Sequence, residues 1–148
     1  MLFRSVLRAI KELTTSNTQY HSCNGIKYNF NINTQLNRLN IKSLLLTGQL
    51  KANHSYDFDY DNQVIATNKY DAKRTYKKDK GYVPGIATIG DKIVYVENRD
   101  GNANVKFEQA GTLTRAFSLL KSEGITVNRS RMDAGDRKST RLNSSHRL

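Results

Sequence analysis

Tyr56-Asp57-Phe58-Asp59-Tyr60-Asp61 alternates three aromatic rings with three carboxylates. A period of two is the period of a β-strand, in which residues i, i+2 and i+4 share a face. The stretch therefore reads as a strand over roughly 54–61, with the acids on one side and the rings on the other. Three like charges on one face repel unless a divalent cation or a ring of Lys and Arg offsets them. Two readings start from that repulsion: a metal site, or a solvated acidic face neutralised by nearby lysines. A calcium loop does not fit. Counted from Asp57, an EF-hand needs Gly at its sixth position and Glu at its twelfth, where this chain has Asn62 and Asn68.

Downstream, Lys69 to Lys80 interleaves six Lys/Arg with Tyr70 and Tyr76, against Asp71 and Asp79. Lysine and arginine hold phosphates through counterion release, and tyrosine rings stack on splayed bases. Lys73, Arg74, Lys77 and Lys78 are the candidate DNA-binding residues of this stretch. Ile86-Ala87-Thr88-Ile89, then Gly90-Asp91, then Lys92 to Val96 predict a tight β-hairpin. Leu113, Ala116, Phe117 and Leu120 lie at i, i+3, i+4 and i+7, which predicts a helix over Thr112–Glu123 closed by Gly124. A last strand, Ile125 to Met132, runs into Asp133. If it pairs beside the acidic strand, Asp133 approaches Asp57 or Asp59.

Upstream, Leu2, Phe3, Val6, Leu7, Ile10 and Leu13 mark a helical stripe. Residues 15–31 read as a polar loop with one short strand. A second helix is expected from Asn33, its cap, to Leu46, with Leu36, Leu39 and Leu46 on one packing face and Gly48 as its stop. The fold class is α/β: a mixed sheet with a strand-strand-strand-helix-strand core preceded by two helices.

The chain has 148 residues, a formal net charge of +11 and one cysteine. That bounds it to one domain without a disulfide framework, in keeping with a reducing cytoplasm. The charge points to an anionic partner, nucleic acid before membrane. No apolar run spans a bilayer, and Arg4, Arg8 and Lys11 interrupt any signal-peptide core. His21, Cys23 and His54 are too scattered for a zinc site, and no Walker-type glycine loop is present.

Four stretches in order resemble the DDE transposases of bacterial cut-and-paste insertion sequences. They are Asp57-Phe58-Asp59; Lys80-Gly81-Tyr82-Val83-Pro84; Arg99-Asp100-Gly101-Asn102-Ala103; and Arg131-Met132-Asp133-Ala134-Gly135. The resemblance covers roughly residues 50–135 and implies a partial ribonuclease-H-like fold. It also implies Asp59 and Asp133 as the first two catalytic acids and metal ligands, with Asp57 as the alternative first acid. Two Mg²⁺ (or Mn²⁺) ions are its cofactors, and element-end and target DNA its partners, in a bacterial cytoplasm at the nucleoid. Dimeric action by the intact family stays open.

The family's third acid, a Glu, follows the second Asp, whereas Glu97, Glu108 and Glu123 all precede Asp133. Residues Asp136 to His146 match one reading frame of a common short-read sequencing adapter. The organisation expected is a helical segment 1–49, a partial catalytic core 50–135, and a disordered tail 136–148. The tail carries +3 (four Lys/Arg against Asp136), which leaves +8 of the chain's +11. The expected function is a transposase fragment inactive as encoded. The alternatives are a non-catalytic basic nucleic-acid-binding module, or another ribonuclease-H-like nuclease.

Overall fold

The computed structural model describes residues 4–6, 8, 17–22 and 24–132. Most of the first expected helix, Asp133 and the 136–148 tail lie outside them; residues 4–6 and 8 are helical. The elements are β1 (Asn17–His21), β2 (Lys27–Asn31), α1 (Thr34–Leu46), β3 (Ser55–Asn62), β4 (Ile65–Ala66), β5 (Lys73–Arg74), β6 (Lys80–Tyr82), β7 (Gly85–Ile89), β8 (Lys92–Arg99), α2 (Gln109–Ser122) and β9 (Thr126–Met132). A six-stranded sheet runs β1-β2-β8-β7-β3-β9, and a small sheet runs β4-β6-β5. Within the large sheet β3 and β9 pair in parallel while the other neighbours are antiparallel, so the sheet is mixed. No helix of the described residues is long and apolar enough to cross a membrane.

The strand-strand-strand-helix-strand order is present as β3, β7, β8, α2 and β9, with the small sheet inserted between β3 and β7. As its alternation predicts, β3 buries Phe58 and Tyr60 and turns Asp57, Asp59 and Asp61 to the opposite face. Phe58 and Tyr60 meet Ala87, Ile89, Val94 and Tyr95 of the hairpin, and Ala116, Leu119 and Leu120 of α2 complete this core. The hairpin turns at Gly90, whose φ of 59° lies in the left-handed region. Helix α2 begins one turn before the expected start, at Gln109.

Two bulges set which side chains face that core. Ala87 pairs with Tyr95 and Thr88 with Ile93, so Val94 is an extra residue in β8. The phase shift lets Val94 and Tyr95, adjacent in sequence, both point inward. In β9, Val127 pairs with Tyr56 and Arg129 with Asp57, which leaves Asn128 as the surplus residue. Without that surplus, Arg129 and Arg131 would share the face of Phe58 and Tyr60, where an unpaired charge is costly.

Two further expectations are corrected. Residues 15–31 hold two strands, paired from Asn17↔Asn31 to His21↔Lys27. Tyr28 and Phe30 are buried with Ala103 as a second core cluster, and Lys27, Asn29 and Asn31 alternate with them at the period of a strand. Helix α1 is capped as expected, Asn33 Oδ1 accepting from the Leu36 amide at 2.9 Å. However, its packing face is Asn37 and Ile41, and Leu36, Leu39 and Leu46 are exposed, Leu46 to 88%.

A sheet edge explains that rotation of α1. Among the described residues β2 reaches β8 only at Arg99 and Asn98, and no other described strand lies beside the Ile93–Val96 edge. The Asn37 amide donates to the Val96 carbonyl at 2.9 Å and accepts the Val96 N–H at 2.9 Å, as a strand would. Asn40 donates to the Ile93 carbonyl at 2.7 Å. The helix turns Asn37 and Asn40 to the open strand edge, whose backbone groups they pair, while Ile41, Leu44 and Leu45 pack on the core.

Glu97 is 0% exposed and accepts hydrogen bonds from Arg115, Thr112 and Tyr95, fastening α2 to β8. Burial first, then the Glu97 charge and hydrogen bond, pushes the Tyr95 hydroxyl far above its ordinary pKa. Removing one partner of such a pair strands a buried charge. Arg115→Met should destabilise the chain by about 3 kcal/mol in urea denaturation. Adding Glu97→Leu to it should restore a large part of the loss, whereas additive losses would mean the pair is not the fastening.

Candidate functional site

The acids of β3 take three different partners. Arg131 of β9 holds Asp59 with both arms, Nε to Oδ1 at 2.6 Å and Nη2 to Oδ2 at 2.9 Å. The pair follows from the parallel register, in which Asp57 faces Arg129 and Asp59 faces Arg131. The hydrogen bond to Asp59, then its charge, raises the Arg131 pKa above its ordinary value. Asp61 accepts from the Asn62 amide at 2.8 Å and from the Gln63 side chain at 2.7 Å. Asp57 is exposed beside a depression of about 340 Å³ that Asp59, Asp91, Lys92 and Arg131 also line.

The fit of a divalent cation follows from these donors. Asp57 and Asp59 lie on one face, roughly 6.6 Å apart along the strand, and supply hard oxygens of the kind Mg²⁺ takes. Each Asp59 oxygen keeps a lone pair beyond the one given to Arg131. Among the described residues no group of three or more His, Cys, Asp and Glu stands ready to hold a metal. Asp133 follows Met132, which pairs with Tyr60, but itself lies outside the described residues. The donors on β3 therefore fit part of a coordination shell, and Arg131 supplies a positive charge beside them.

The stretches at 80–84 and 99–103 meet backbone to backbone. The Val83 amide donates to the Arg99 carbonyl at 3.0 Å, and Tyr82 bridges to Asp100. A Cβ on Gly101 would collide with the carbonyls of Gly81 and Lys73, and one on Gly81 with that of Ile65. Both glycines are therefore required by close approach. Arg99 is 1% exposed, stacks on Phe30 at 4.5 Å and donates to the carbonyls of Asn104, Val105 and Phe107. Burial lowers its pKa from the usual arginine value. Asp100 accepts from the Asn29 amide at 2.9 Å. Arg99 and Asp100 are thus the frame of the 100–107 loop.

Lys73, Arg74, Lys77 and Lys78 are all exposed. The first two form β5, and the turn after them closes with the Thr75 amide on the Asp79 carbonyl at 2.8 Å. Lys78 takes a φ of 73° in that turn. The base of this basic hairpin is tied by Tyr82, which donates to Asp71 at 2.6 Å. That bond pushes the Tyr82 hydroxyl up to about 12 and holds Asp71 below its ordinary value. Between the hairpin, the end of β3 and the 101–106 loop lies a cleft of about 720 Å³.

Arg131 is the residue that the sequence reading missed as a partner of Asp59. Its signal was present, since Arg129-Ser130-Arg131 repeats the i, i+2 spacing of Asp57-Phe58-Asp59 with opposite charge. Nothing in the sequence marked Asn62, Thr75 or Lys106 as neighbours across the cleft. The chain matches no protein-family model, no curated protein and no solved structure.

Arg131 is mostly exposed, and exposed ion pairs contribute little to stability. Arg131→Ala should therefore shift stability by less than about 1 kcal/mol in urea denaturation. A loss of several kcal/mol would mean that the pair holds β9 in the sheet.

Proposed function

We propose that the chain is part of the catalytic core of a DDE-type DNA transposase, which cleaves DNA strands and transfers them with the help of Mg²⁺. One observation carries this reading. Asp59 and Arg131, from the first and last of the four resembling stretches, meet in a bidentate pair on neighbouring parallel strands. The order β8-β7-β3-β9, with α2 crossing between β8 and β9, supports a ribonuclease-H-like core for it.

In this reading Asp59 and Asp133 hold the metal, with Asp57 the alternative to Asp59. Bound Mg²⁺ supplies activation of the attacking oxygen and stabilisation of the leaving oxygen at phosphorus. Arg131 holds the Asp59 carboxylate in one rotamer, which prepares its free lone pairs for a ligand. Lys73, Arg74, Lys77 and Lys78 hold the DNA backbone against the repulsion of the acids. No Glu follows Asp133 within the 148 residues, so this chain offers two acids of three and is expected to be inactive as it stands.

A second reading starts from the same ion pair. Arg131 already neutralises Asp59, so the acids are equally suited to a non-catalytic nucleic-acid-binding module. Divalent metal separates the two. On the first reading, Mg²⁺ or Mn²⁺ at ten times its Kd should stabilise the chain by about 1.4 kcal/mol. Asp59→Asn and Asp133→Asn should each abolish that gain, and DNA nicking should stay at background. Equal stabilisation of all three proteins, or none, would favour the non-catalytic module. Metal-dependent nicking lost in Asp59→Asn would overturn the expected inactivity.

A further inference from the structure

The cleft between the basic hairpin and the 101–106 loop is separate from the depression beside Asp57 and Asp59. Its volume of about 720 Å³ falls within the range of small-molecule pockets, roughly 300–1,000 Å³. Arg74 and Lys106 place exposed cations on it, and Tyr76 presents a ring that is 65% exposed. Lys77 sets its ammonium 6.0 Å from that ring's centroid. One lining residue, Thr75, carries a hydroxyl without a hydrogen-bond partner among the described residues. Thr75 is only 5% exposed, and an orphaned buried hydroxyl calls for an explanation.

We infer that this cleft takes one unstacked nucleotide of single-stranded nucleic acid, its base on Tyr76 and its phosphates on Arg74 and Lys106. The inference rests on the nucleic-acid reading above and deepens it. An aromatic face accepts any base, and a base still stacked in a duplex cannot reach it. In the complex a base edge offers the Thr75 hydroxyl the partner it lacks. Asp61 lines the same cleft with its carboxylate already engaged by Asn62 and Gln63, and it directs phosphate toward the cationic walls. An apolar ligand would leave Arg74, Lys106 and the Thr75 hydroxyl unanswered.

The test uses the full chain, a short fluorescent single strand, its matched duplex and an abasic version of the strand, all at one salt concentration. Tyr76→Ala should weaken single-strand binding about tenfold while changing duplex binding by less than about twofold. Tyr76→Phe should bind as the unaltered chain does, because stacking needs the ring and not the hydroxyl. The abasic strand should bind the unaltered chain about as weakly as the intact strand binds Tyr76→Ala. Equal weakening of both forms by Tyr76→Ala, no weakening of either, or full affinity for the abasic strand would overturn the inference. Duplex binding without base-dependent single-strand binding would sink the cleft alone, and binding of neither form would sink the nucleic-acid reading as well.

Discussion

Asn128 stands in β9 with no residue opposite it in β3, and that one-residue surplus decides where two arginines point. A strand has only two faces, and a slip by one residue exchanges them. With the bulge, Val127 lies beside Tyr56 on the core side while Arg129 and Arg131 lie beside Asp57 and Asp59 on the other. Arg131 then pairs with Asp59, and the rings of β3 stay in an apolar core. The same surplus sets Arg131 where both of its arms reach one carboxylate. Core and site thus depend on a single local irregularity.

Much of this was legible in the sequence because period and punctuation agreed. The alternation of 56–61 predicted a strand and its two faces. Gly90-Asp91 predicted the hairpin turn, and the 113–120 stripe with Gly124 predicted α2 and its end. The order of elements allows the last core strand to pair beside the first, and the two are neighbours in parallel. The candidate DNA-binding lysines and Arg74 were found exposed, as charge patterning alone would have them.

What was not legible depends on partners far away in the chain. The leucines of α1 suggested a packing face, yet Asn37 and Asn40 win the sheet side because open backbone groups of β8 need partners there. Tyr28 and Phe30 alternate with polar residues as a strand does, but that period does not name β1 and β8 as the neighbours of β2. Neither bulge leaves a mark in composition, since Val94 and Asn128 are ordinary residues in ordinary strands. The close approach of Gly101 to the Gly81 carbonyl shows only in the folded chain.

The acid face of β3 is where a catalytic and a merely structural role part, and a paramagnetic ion can locate a metal there directly. In a ¹⁵N-resolved NMR titration with Mn²⁺, amides of residues 57–61 and of Arg131 and Met132 should broaden first. Asp59→Asn should remove that pattern. Broadening centred on Asp71 or Asp79 of the basic hairpin, or spread evenly over all acids, would contradict a metal-binding role for β3.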